Sequence, residues 1–170
     1  YLNANQHIIF TCRTSGIWTE HRAVSSQSVK DFAAAVDSGG NLHILAYTHT
    51  RQLIYYEWDG QKWNFKLMDR IYSRFQNISY LTIFFTGDII HIMYYIESSL
   101  RRSTESLMHY FKLDRGWKGG LVWKCISDDM FLPQSICTDT EKRVHFLFTK
   151  HPQREFKLYY SLYNPEVLSW

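Results

Sequence analysis

The stretch "GGNLHILAY", residues 39–47, returns as "GDIIHIMYY", residues 87–95, and again as "EKRVHFLFT", residues 141–149. Each sets a histidine near the head of an apolar run, and these three, His43, His91 and His145, stand 48 and 54 residues apart. Self-similarity at a fixed spacing of this size signals a repeat architecture, in which each unit is one supersecondary element that must be covered by its neighbours. Other anchors keep the same beat. Tyr55-Tyr56, His109-Tyr110 and Tyr159-Tyr160 follow the three runs, and Trp18, Trp63, Trp117 and Trp170 recur at intervals of 45, 54 and 53. The repeat unit is therefore about fifty residues.

Within a unit, short apolar runs alternate with turn chemistry. "DFAAAV" stops at "DSGG", "NLHILAYT" at "HTRQ", and "LIYYEW" at "DGQK", after which "WNFKLMD" leads away. Asp-Gly and Gly-Gly between such runs are hairpin signals, because the tight turns that match strand twist need positive φ. The next unit reads the same way through "ISYLTIFF", "IIHIMYYI", "LMHYFKL" and "WKGGLVWKC", with "ESSLRRSTES", residues 97–106, as a polar insertion. Each unit is expected to be a four-stranded antiparallel meander. Both alternating faces of "LHILAY", "IHIMYY" and "VHFLFT" are largely apolar. A strand of that kind lies between two other sheets, and radial stacking of such sheets makes a β-propeller.

The fold class expected is all-β, a propeller of four-stranded antiparallel blades with incomplete blades at both chain ends. The boundaries fall at residues 1–28 for a partial blade, 29–74 and 75–129 for blades, and 130–170 for a second partial blade. In this register "QHIIFTC" and "IWTEHRAV" are the third and fourth strands of the leading blade. With 170 residues holding 3.4 units of about fifty, an open arc would leave blade faces and strand edges in water. Association between chains by strand or blade sharing, giving a homodimer, is then one expected outcome.

Composition narrows the function. The net charge of +3 is spread along the chain, its densest groups being Arg101-Arg102 and Lys142-Arg143, so no basic stripe tracks a phosphate backbone and nucleic acid is not an expected partner. No apolar window reaches the length of a membrane-spanning helix. Three cysteines, Cys12, Cys125 and Cys137, are odd in number and lack C-x-x-C spacing. They read as free, mostly buried thiols, and with no basic-then-apolar leader at Tyr1 they point to a cytoplasmic setting.

The D-x-x-G-type turn, the strand "NLHILAY", the hairpin "LIYYEWDG" and the tryptophan after it resemble the repeats of sialidase-type bacterial propellers. That resemblance covers most of residues 31–170 and implies a propeller blade type, with glycan-active or glycan-binding relatives. No complete Ser-x-Asp-x-Gly-x-x-Trp box occurs, and no arginine triad can be placed.

Side chains repeated in every blade serve what every blade shares, so His43, His91, His145, Trp18, Trp63 and Trp117 are read as structural repeat anchors rather than metal ligands or sugar platforms. No carboxylate recurs at a constant offset from the histidines in this reading, and the acids, Asp37, Asp59 and Asp139 among them, fall in turns. Candidate ligand-binding residues are those outside the period: Trp58 and Trp123, and Arg101 and Arg102 on the inserted loop. No catalytic residue, metal or cofactor is expected. The function expected is a non-catalytic binding or protein-interaction scaffold for a protein or glycan ligand. The alternatives are a carbohydrate-binding or sialidase-like glycan-active propeller, and a structural oligomerisation head of a longer protein.

Overall fold

The computed structural model describes residues 1–19, 21–101, 103–113, 116–126, 131–150, 157–164 and 170. All regular structure among them is strand, fifteen in chain order, and the strands fall into two compact units, Tyr1–Tyr72 and Ser73–Trp170.

The first unit opens with a hairpin. Its arms pair as β1 (Ile9–Phe10) with β4 (Arg22–Ala23), and as β2 (Arg13–Thr14) with β3 (Ile17–Trp18). The tip residues Ser15 and Gly16 both have positive φ, 51° and 84°, the backbone of a two-residue turn whose twist matches the strands it joins. Strands β5 (Val29–Val36), β6 (Leu42–Thr48), β7 (Gln52–Trp58) and β8 (Trp63–Arg70) then form a four-stranded antiparallel sheet in chain order. The hairpin contributes Ile8 and Val24 to a cluster with Val29, Ile44, Ala46, Ile54 and Tyr56 of that sheet. Burying an aliphatic or aromatic side chain of this size removes enough apolar surface to contribute about 1.5–3 kcal/mol. The sequence supplies that surface by alternation along β6 and β7.

The second unit contains a second four-stranded antiparallel sheet, β9 (Gln76–Thr86), β10 (Ile89–Ser98), β11 (Thr104–Leu113) and β12 (Gly116–Ile126). A three-stranded sheet follows, β13 (Phe131–Thr138), β14 (Val144–Lys150) and β15 (Lys157–Tyr163). The two sheets pack through Met93, Tyr95 and Leu107 on one side and Phe146 on the other, and through Phe111 against Val144 and Tyr163. An all-β fold of antiparallel, mostly four-stranded sheets is thus what the repeat predicts and what forms.

The polar insertion is shorter than its composition suggests. Glu97 and Ser98 remain on β10 and Thr104, Glu105 and Ser106 begin β11, which leaves a tip of a few residues. Glu105 is buried there because Tyr95 Oη donates to its carboxylate and the Ser98 amide donates to Oε1 at 3.2 Å. None of the three cysteines is in a disulfide, but only Cys125 is buried; Cys12 is half-buried and Cys137 is exposed.

Candidate functional site

One structural device is built three times from the repeat. In each sheet the second-strand histidine meets a group two residues past its cross-strand partner on the first strand, and another two residues before its partner on the third. In the first sheet these are Asp37 and Tyr55: His43 donates from Nε2 to Asp37 Oδ2 at 3.2 Å, and its Nδ1 lies 2.6 Å from the Tyr55 hydroxyl. In the last sheet they are Asp139 and Tyr160, each 2.8 Å from His145. A carboxylate therefore does recur six residues before two of the three histidines, against the expectation from sequence. The middle sheet, with Thr86 in that place, breaks the offset.

Burial works against the charged form of Asp37, but hydrogen bonds from the Asn41 side chain and amide and from His43 outweigh it and hold the carboxyl near about 2. Asp139 is lowered further, first by its bond from His145 and despite some desolvation, then by Arg143, whose Nε lies 2.7 Å away. Register also aligns Tyr160, not Tyr159, with Tyr55. These acids tie the turn to the strand beneath it.

The middle sheet departs from this scheme at both ends. Thr86 replaces the aspartate, its Oγ1 2.7 Å from His91 Nε2, and His109 replaces the tyrosine, its Nε2 2.9 Å from His91 Nδ1. The indole of Trp170 closes the row, with Nε1 3.2 Å from His109 Nδ1. An indole nitrogen can only donate, and that fixes every proton downstream. His109 accepts at Nδ1 and donates from Nε2; His91 accepts at Nδ1 and donates from Nε2 to Thr86. Both rings are therefore neutral, in agreement with burial, which pushes His91 down to about 4 and, with help from the neighbouring His91, His109 down to about 3.

Beside His109 lies a cavity of about 370 Å³ bounded by Phe111, Gly119, Gly120, Leu121, Val122, Tyr163 and Trp170 as well as His109. Its volume comes from missing side chains. Gly120 pairs with His109 and Gly119 with Tyr110, where the first sheet has Lys66 opposite Tyr55 and Phe65 opposite Tyr56. At Gly119, with φ of 130°, a Cβ would lie 2.1 Å from the His109 carbonyl oxygen, so only glycine lets the two strands approach there. Gly120 faces open space. The strand also bulges at Val122, where the pairing jumps from Leu107 with Trp123 to Met108 with Leu121. Tyr163 also lines the cavity; its hydroxyl is buried and has no hydrogen-bond partner among the described residues. Trp170 meets both His109 and Tyr163, ring centroids 5.3 and 5.4 Å away.

The residues singled out from sequence lie elsewhere. Trp58 is half-buried in the first unit, its ring 5.3 Å from that of Trp63. Trp123 packs on the core of the second unit, 6.0 Å from Phe148. Arg101 is exposed at the loop tip, and Arg102 lies outside the described residues. Trp63, the first residue of β8, and Trp117, the second of β12, stand at matching register, paired with Trp58 and Lys112; Trp18 sits in the exposed N-terminal hairpin. No group of three histidine, cysteine or acidic side chains is placed to hold a metal among the described residues, and no helix there is long and apolar enough to cross a membrane.

No protein-family model matches the chain, and no curated protein matches it in sequence. Its fold has a match among solved structures. The chain superposes with a TM-score of 0.58 and 15% identity on AofleA from Arthrobotrys oligospora, crystallised as a triple arginine-to-alanine mutant. The match covers 97% of this chain and 49% of that one, so the chain spans about half the length of the solved protein. At this identity the likeness is one of fold: antiparallel sheets matching half of a propeller chain.

Proposed function

We propose that the protein is a carbohydrate-binding module and that the cavity beside His109 receives the saccharide. The observation that carries this reading is the cavity itself, with the rings of Phe111, Tyr163 and Trp170 and the His109 imidazole along its walls. A saccharide offers apolar C–H faces for a ring such as that of Trp170. The similarity of fold to AofleA, a fungal fucose-specific lectin with six blades, favours this over a protein-interaction scaffold. The reading is one of binding, drawn from the residues that line the cavity.

Calorimetric titration with methyl glycosides of fucose, galactose, mannose and N-acetylglucosamine, after a glycan-array screen, tests the proposal. Binding of at least one saccharide is expected. It should be lost in Gly120→Leu, whose side chain grows into open space and fills the cavity. A folded protein that binds no saccharide on the array, or one whose binding ignores Gly120→Leu, refutes it.

A further inference from the structure

The middle sheet breaks the repeat at two places, and the two exchanges act together. In the first and last sheets the row through the histidine begins at a carboxylate, Asp37 or Asp139, and stops at a phenol, Tyr55 or Tyr160. The middle sheet has Thr86 and His109 in those places. An imidazole, unlike a phenol, has a second nitrogen on its far side, so the row runs on from His109 Nδ1 to Trp170 Nε1, 3.2 Å away. A carboxylate beside His91 would favour the protonated ring, whose Nδ1–H would face the Nε2–H of His109; the Thr86 hydroxyl brings no such charge. Phe84 lies nearly parallel to both imidazoles, at 11° and 8°, so neither ring turns out of the row without losing that contact. His109 and Trp170 line the cavity, whereas His91 and Thr86 do not.

We propose that His91 is a positioning residue for this cavity, a role that rests on the cavity's being a saccharide site: its bare Nδ1 accepts from His109 Nε2, which leaves His109 Nδ1 to hold the indole of Trp170 as a wall. The Thr86 hydroxyl can donate or accept, so from that end the row could run in either direction. The reversed row puts a hydrogen on His109 Nδ1, against the N–H of an indole that cannot accept, and Trp170 is turned away. The direction of the bond at His91 and the placement of Trp170 are therefore one choice. Beyond that bond the indole meets the rings of Phe146 and Tyr163, centroids 6.1 and 5.4 Å away. Apolar contact of this kind is non-directional, so the bond to His109 fixes the rotation of the ring that a saccharide would meet.

Two amide variants test this. Asparagine carries an acceptor on Cγ, where histidine carries Nδ1, whereas the glutamine amide lies one bond further out, level with Nε2. His91→Asn therefore keeps the bond to His109 and His91→Gln gives it up, while both lose the imidazole. In the parent chain labelled with nitrogen-15, nuclear magnetic resonance is expected to show a hydrogen on Nε2 and none on Nδ1 of both rings. The Trp170 indole N–H signal, assigned by its loss in Trp170→Phe, should stay in place in His91→Asn and move in His91→Gln, with circular dichroism checking that each variant folds. Affinity for a methyl glycoside that the parent binds should stay within about threefold in His91→Asn and fall more than about tenfold in His91→Gln. An indole signal that responds alike to both substitutions overturns the proposal. So does a hydrogen on His109 Nδ1 in the parent, a measurement that decides the matter even where neither variant folds. These signals need no saccharide: a parent chain that binds none refutes the saccharide reading, and the indole signal still decides whether His91 places Trp170.

Discussion

His91 and His109 lie edge to edge, ring planes 3° from parallel and centroids 5.2 Å apart, joined in that plane by the 2.9 Å bond from His109 Nε2 to His91 Nδ1. The arrangement holds only for two neutral rings, because a second proton on His109 would set an N–H against the N–H of Trp170.

Acid should therefore unfold the second unit before it affects exposed carboxylates alone. Both folded-state values lie below the ordinary 6.5, so the unfolded chain binds more protons below that pH. Their contribution is fully present above about 6.5 and is lost as pH falls through about 4 towards 3, which for His91 alone amounts to on the order of 3 kcal/mol. Urea denaturation followed by tryptophan fluorescence from neutral pH to pH 4 should give a falling midpoint. A midpoint that stays level over that range contradicts the neutral pair.

His91→Ala removes one ring of the pair and leaves Thr86 and His109 without their shared partner. Loss of packing and of two buried bonds should cost about 2–4 kcal/mol, measured by chemical denaturation at neutral pH. His91→Phe keeps the ring but not the bonds, and is expected to recover part of that loss.

Adjacent glycines should behave differently. Gly119→Ala forces a Cβ into the carbonyl of His109 and should cost more than about 2 kcal/mol, whereas Gly120→Ala meets open space and should cost about 1 kcal/mol or less. Equal losses at the two positions would show that the strand approach beside His109 is not as described.

Glu105 accepts from Tyr95 and from the Ser98 amide inside the fold. Glu105→Ala removes both bonds and should destabilise by about 2–3 kcal/mol. Its neighbour Cys125 should then react faster with a thiol reagent. In the parent chain the expected order of reaction is Cys137, then Cys12, then Cys125, following exposure.

The sequence by itself determined the all-β class and the spacing of its sheets. Turn chemistry and two-residue alternation are local signals, and the runs around His43, His91 and His145 carry them without help from distant residues. It also showed that "HY" at residues 109–110 stands where the first repeat has "YY", but not what that exchange does. Tertiary structure decided this. His109 becomes part of a cavity because Gly120 is its cross-strand neighbour and because Trp170, sixty-one positions away, donates to its far nitrogen. Likewise, the spacing of Asp37 and Asp139 from their histidines is visible in the chain, yet it acquires meaning only when strand pairing puts each acid beside an imidazole. The physical reason is common to both cases. Periodicity records which face of a strand is apolar, whereas hydrogen bonds and missing volume depend on which strand lies alongside.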